Sequence, residues 1–291
     1  MIKKILKVIG LVLGVLVVII AGYYTKAHIS TTRRMQKQYA ITPQVLPILN
    51  DSAVLARGEH LIRIKACNEC HGKDLGGKVF VDDAALGLLI APNLTKGKGG
   101  RPADFNAEDW SLALRHGLRR DRTPLLFMPS HEFTLMSEED LTAIVSYCAN
   151  LEPIDREFPK TDIGPLTRVL ADLDKLPLFP AELIDHDRKL VKTVKAEISA
   201  EYGKYLATSC SGCHRENLKG GEPVAPGYPV VADISSSGHP GQWTDEQFIQ
   251  TLRTGVTPEG KTLKPEEMPW TMTKEFSDLE LKALHLYLKS I

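Results

Sequence analysis

The string Cys-x-x-Cys-His occurs twice in this 291-residue chain, as Cys67-Asn68-Glu69-Cys70-His71 and as Cys210-Ser211-Gly212-Cys213-His214. Each copy sets two thiols three positions apart and an imidazole directly after the second. The copies start 143 residues apart, whereas a four-cysteine zinc site needs its pairs roughly 15–20 residues apart. A disulfide framework belongs to much shorter chains. Two redox Cys-x-x-Cys pairs are a further reading, but a histidine follows both times and no thioredoxin-like strand pattern surrounds either copy.

The motifs sit inside a longer internal repeat. Met128-Pro129 and Met268-Pro269 open two stretches that align without a gap through Leu141 and Leu281 to Tyr147 and Tyr287, with Cys148 opposite Leu288. Ser137 with Asp140, and Ser277 with Glu280, have the spacing of a capping box. Leu141, Ile144, Val145 and Cys148, and likewise Leu281, Leu284, His285 and Leu288, fall on one helical face. Upstream, Asn106 and Thr244 are N-cap residues of segments ending in Leu114-Arg115-x-Gly117 and Leu252-Arg253-x-Gly255. Gly58-Glu59-His60-Leu61 and Gly203-Lys204-Tyr205-Leu206 each lead a helical segment into a cysteine pair. The expected organisation is a domain at 50–151, a Pro- and charge-rich linker at 152–199, and a second domain at 200–291.

From Val8 to Tyr24 the chain is apolar, glycine or aromatic, close to the roughly 20 residues that cross a bilayer core. Residues 1–25 therefore read as a membrane anchor, with a cleaved signal peptide as the rival, and 26–49 as a connecting segment. No clean Ala-x-Ala site follows, which favours the anchor. Residues 1–40 hold seven Lys/Arg and no acid, leaving 29 basic and 36 acidic side chains in the rest, a net of −7. An acidic body argues against nucleic acid as partner, since phosphate binding needs a basic face.

Cys-x-x-Cys-His is the attachment motif of haem c. Two thiols at this spacing bond the two vinyl groups along one porphyrin edge, and the adjoining imidazole is then brought under the iron. Cys67, Cys70, Cys210 and Cys213 are the expected attachment points for two haem c groups, with His71 and His214 as axial ligands. Met128 and Met268, each before a proline and at the same distance from the C-terminal helix, are the candidate sulfur ligands; a thioether opposite histidine raises the iron potential. Methionine as core filler is the alternative. Met136 aligns with Phe276 and Met272 with Glu132, and the bis-histidine candidates His131 and His239 have no counterparts. A backbone carbonyl in the Pro92-Asn93-Leu94-Thr95 loop is a candidate acceptor for the His71 Nδ1–H; the second half has Ala232-Asp233-Ile234-Ser235 there. Arg115 and Arg253 are candidates for haem propionates, with ordinary helix-face arginines as the equal alternative. His285 reads as a core residue.

These motifs together, from Gly-x-x-Leu before Cys-x-x-Cys-His to Pro-Asn-Leu-Thr, Arg-x-Gly, Met-Pro and Ser-Glu-Glu-Asp-Leu, resemble class I cytochromes c. The tandem form resembles the dihaem and trihaem cytochrome c subunits of membrane-associated bacterial dehydrogenases, as do Leu176-Pro177, Pro180-Ala181-Glu182 and Ile184-Asp185-His186. The resemblance covers about residues 50–291 and implies an all-α fold: two tandem class I cytochrome c domains behind an N-terminal transmembrane helix. It implies an electron carrier rather than an enzyme. The donor would be a dehydrogenase or quinol-linked complex and the acceptor another cytochrome or an oxidase. The body would stand in the periplasm, tethered to the bacterial inner membrane. A dihaem cytochrome c peroxidase is the enzymatic alternative; it requires one haem with an open distal face.

Overall fold

The computed structural model describes residues 1–224 and 227–291. In chain order the helices are α1 (Ile2–Met35), α2 (Ser52–Ile64), α3 (Cys67–His71), α4 (Ala107–His116), α5 (Ser130–Phe133), α6 (Glu138–Ala149), α7 (Pro165–Asp172), α8 (Ala200–His214), α9 (His239–Gln242), α10 (Asp245–Thr254), α11 (Trp270–Thr273) and α12 (Asp278–Leu288). The strands are β1 (Lys78–Asp83), β2 (Gly87–Ala91) and β3 (Asp162–Ile163). The chain forms two compact units, which do not coincide with the two halves of the sequence repeat.

The first unit comprises Met1–Val45, Cys70–His131 and Glu152–Asp187. Its helix α1 is long and apolar enough to cross a membrane, with a mean hydropathy of 2.8 over its most apolar window. The helix runs on past Tyr24, because no Gly or Pro interrupts residues 25–35, so the expected connecting segment begins as helix. That end is docked on α7. Ala27 and Thr31 are buried, and Lys26 pairs with Asp172 at 2.7 Å. Arg34 donates to both carboxylate oxygens of Glu182 and lies over the Phe179 ring at 4.6 Å.

The helical plan carries two additions. The fold is mostly helical but not all-α: β1, β2 and β3 form an antiparallel sheet in that order. The Asp83 carboxylate closes the β1–β2 turn by accepting from the Ala85 and Leu86 amides, both at 2.8 Å. Residues 152–187, read as part of a linker, supply β3 and α7 and pack Ile163, Ala171, Leu178 and Phe179 against Leu89 of the sheet. Burial of Ile163, Leu178 and Phe179, each worth roughly 1.5–3 kcal/mol, explains why this proline-rich stretch is ordered.

The second unit comprises Leu46–Glu69, Glu132–Leu151 and Arg188–Ile291. It holds two helix pairs, α2 on α6 and α8 on α12, each crossing at a glycine. A Cβ on Gly58 would lie 2.2 Å from the Ala143 carbonyl oxygen, and one on Gly203 would lie 2.0 Å from that of Ala283. The apolar faces expected from the helical period are the buried ones: Leu141, Ile144, Val145 and Cys148 on α6, and Leu281, Leu284 and Leu288 on α12. The Ser277–Glu280 capping box forms on α12, and the Ser137 hydroxyl caps α6. Gly58→Ala or Gly203→Ala forces its crossing apart. Each is expected to lower stability by about 1–3 kcal/mol, the usual range for overpacking, as read from urea midpoints at unchanged slope.

The unit joins both pairs because charged side chains link them. Arg57 of α2 donates to both oxygens of Asp140 on α6, at 2.9 and 3.0 Å. His60 Nε2 lies 2.9 Å from both carboxylate oxygens of Glu280 on α12. Tyr205 of α8 donates to Asp140 at 2.7 Å. Burial raises the Tyr205 hydroxyl, reinforced by the Asp140 charge.

Candidate functional site

Both Cys-x-x-Cys-His strings lie on helix, the first making up α3 and the second ending α8. Among the described residues no disulfide joins any of the five cysteines. His71 is 9% exposed, and its Nδ1 stands 2.8 Å from the carbonyl oxygen of Pro92. His214 makes the corresponding approach to the carbonyl of Ala232, also at 2.8 Å. A carbonyl can only accept, so each imidazole carries its proton on Nδ1 and presents the Nε2 lone pair. Burial lowers both groups, His71 to about 4, with the carbonyl bond opposing and the charge of Arg101 assisting; for His214 the Ala232 carbonyl opposes. The neutral, Nδ1-protonated form is the one that can coordinate iron.

The loop behind each imidazole is built the same way twice. The His71 carbonyl accepts from Gly77 at 2.8 Å, and the His214 carbonyl from Gly220 at 2.9 Å. Leu75 and Leu218 both adopt φ of 58°, and their carbonyls accept from Leu94 and Ile234. Asn93 takes the amide and hydroxyl of Thr95 on one side-chain oxygen; Asp233 does the same for Ser235. Pro92 and Ala232 therefore hold equivalent places although only one is proline, since the carbonyl is what the site uses.

Met128 and Met268 occupy matching positions too. Both are half-buried and lie outside helix, just ahead of α5 and α11. Across the following proline, the amides of Ser130 and Trp270 donate back to the two methionine carbonyls, each at 2.7 Å. The rival sulfurs are core: Met136 and its counterpart Phe276 are both 2% exposed, and Met272 is 8% exposed. His285 is fully buried, stacked 4.3 Å from Phe248, with Asp245 on Nδ1 and the Pro240 carbonyl on Nε2.

The arginines diverge. Arg115 is buried. Arg253 is half-buried and already engaged, with Asp278 at 2.7 Å and with the Lys274 carbonyl. Sequence reasoning passed over Arg101, which lies over Phe105 and Trp110 at 5.1 and 5.7 Å and acts electrostatically on His71. Nothing in its local sequence marks it, because its aromatic partners come from the next helix and the turn before it. His116 and His186 form a pair with their Nδ1 atoms 3.0 Å apart. Burial, with Arg115 and His186 beside it, lowers His116 to about 4.

These features define a c-type cytochrome. Residues 200–291 match the family model described as Cytochrome c, and residues 53–148 match that of Cytochrome C oxidase, cbb3-type, subunit III. Among individual relatives, the chain is 24% identical over 257 residues to the fructose dehydrogenase cytochrome subunit of Gluconobacter japonicus, covering 81% of this chain and 52% of that one. It is 23% identical over 270 residues to the alcohol dehydrogenase (quinone) cytochrome c subunit of Gluconobacter oxydans, covering 83% and 55%. A gluconate 2-dehydrogenase cytochrome c subunit of Pantoea cypripedii is 29% identical over 119 residues, covering 39% and 27%. The chain spans about half the length of the first of these curated relatives. Each of these relatives is named as a cytochrome subunit of a dehydrogenase.

Proposed function

We propose that the chain relays single electrons through two haem c groups, held by Cys67 and Cys70 and by Cys210 and Cys213, in two tandem cytochrome c domains at 50–151 and 200–291. His71 with Met128, and His214 with Met268, are the axial pairs. The observation that carries this reading is the imidazole-orienting loop, built twice with the same bonds on non-identical residues. A bound haem supplies the one-electron chemistry; the chain's residues hold it, orient the imidazole and set its surroundings. With a histidine and a methionine holding each haem, neither iron would be open to substrate.

The donor is a dehydrogenase or quinol-linked complex and the acceptor another cytochrome or an oxidase. The names of the relatives support the dehydrogenase. α1 anchors the chain in the bacterial inner membrane with the body in the periplasm. Docking of its C-terminal end on α7, through Lys26, Thr31 and Arg34, supports retention of the segment rather than cleavage. Tethering raises the effective concentration near membrane partners.

The oxidised optical spectrum tests the ligand assignment. The protein is expected to show the weak far-red band of iron–sulfur charge transfer. Met128→Ala and Met268→Ala should each remove about half of it, as one of two His/Met pairs is lost. A band that survives undiminished in both variants refutes the ligand pair.

A further inference from the structure

The α2 C-cap residue Lys65 is 8% exposed, unusual for a lysine. Its ammonium donates to the Ser209 hydroxyl at 2.9 Å and lies 5.7 Å from the centre of the Tyr205 ring. Lys65 stands two residues before Cys67, and Ser209 directly before Cys210. One hydrogen bond therefore joins the segment leading into the first attachment motif to the segment leading into the second. The route from Cys67 through Ala66, Lys65 and Ser209 to Cys210 is covalent apart from that bond.

The surroundings show how closely the two segments are fitted. Glu132 lies so near the second motif that a Cβ on Gly212 would come within 2.8 Å of its Oε1. Burial raises Glu132 to about 7, against the charge of Lys65. Arg57 is taken by Asp140, and His60 by Glu280. Among the described residues the Lys65 ammonium makes one hydrogen bond, to a neutral hydroxyl. Burial of the ammonium lowers Lys65, with Cys210, Asp140 and Glu132 opposing. A buried amine held by one hydroxyl is a poor stabilising device, since an apolar side chain of the same length fills such space at less desolvation cost. What it provides that an apolar chain does not is a directional bond between two segments that must keep a fixed separation.

We propose that Lys65 is a positioning residue for electron exchange between the two haem groups, clamping the approach to Cys67 against the approach to Cys210 through Ser209. This rests on the dihaem reading above. Tunnelling between two redox centres weakens steeply with separation, so a clamp at the two attachment points acts on the rate even though it touches neither iron.

The test uses the full-length exported protein. Mass measurement first establishes two haems on the wild type; fewer than two overturns the dihaem reading itself. Intramolecular exchange is then followed after rapid injection of one electron per molecule, together with the spin–spin interaction between the two ferric haems and the potential of each. Lys65→Met and Ser209→Ala are each expected to slow exchange severalfold, because tunnelling falls off steeply as the two centres move apart. Both should weaken the spin–spin interaction while each haem keeps its own spectrum. Lys65→Gln, whose amide still donates, should restore most of the rate. Unchanged exchange and spin–spin interaction in Ser209→Ala overturn the clamp, and this variant decides the matter where Lys65→Met does not fold. Lys65→Gln as slow as Lys65→Met, with shifted potentials, also overturns it in favour of a purely electrostatic role.

Discussion

Replacing Cys210 and Cys213 together with alanine is expected to leave one covalent haem per chain and about half of the haem absorbance, one of two attachment motifs being removed. The second site depends on its thioethers more than the first. Cys213 is exposed, and the described residues that follow the motif, from Gly221 through Val224 and Gly227 through Val230, are exposed as well. The apolar side chains among them, Val224, Tyr228 and Val230, stand on a segment outside helix and strand, which holds an unattached porphyrin less firmly than a packed wall does. The first site is better covered: His71 is buried, with Leu75, Leu94 and Trp110 below a tenth exposed. The Cys67→Ala/Cys70→Ala protein is therefore expected to keep part of its first haem without a covalent bond. Intact mass under denaturing conditions, set beside native absorbance, checks both. Two covalent haems on the Cys210/Cys213 double variant, or equal noncovalent retention at the two sites, would count against this picture.

The second large effect is expected at Glu280. Its side chain is 3% exposed and faces both His60 and Arg57. It also accepts from the Ser277 amide at 2.8 Å and from the Tyr202 hydroxyl at 3.3 Å. Burial alone raises this carboxyl, but the bonds from His60 and Ser277 prevail and bring it down to about 2. Glu280→Ala removes the acceptor shared by the half-buried His60, the Ser277 amide and Tyr202, at a cost of about 1.5–3 kcal/mol, the range for hydrogen bonds to a charged group. Because the folded value lies below the ordinary 4.5, this stabilisation is complete above pH 4.5 and is lost as pH falls towards 2. Urea unfolding across that range should bring wild type and Glu280→Gln together at the acid end. A difference that persists unchanged at pH 2 would contradict the assignment.

Legibility in the sequence followed the range of the interaction. The cap residues and helix faces were readable because their partners lie within four positions, as Ser277 and Glu280 do. The loops behind His71 and His214 were readable from the repeat, which set Ala232 opposite Pro92 even though the residues differ. The sheet was not. Five of the six residues of β1 are exposed, so Lys78–Asp83 has no buried face to impose alternation. The packing of Leu178 and Phe179 was hidden for another reason: prolines around them read as linker punctuation, while their contacts lie on β2 and β3. Nothing local marks Lys65, because Ser209 is 144 residues away.

The account stands most directly on the intact mass of the mature protein exported by a cell able to attach haem. Two added tetrapyrroles are expected, one on the peptide holding Cys67 to His71 and one on that holding Cys210 to His214. A chain bearing only one, or none, contradicts it.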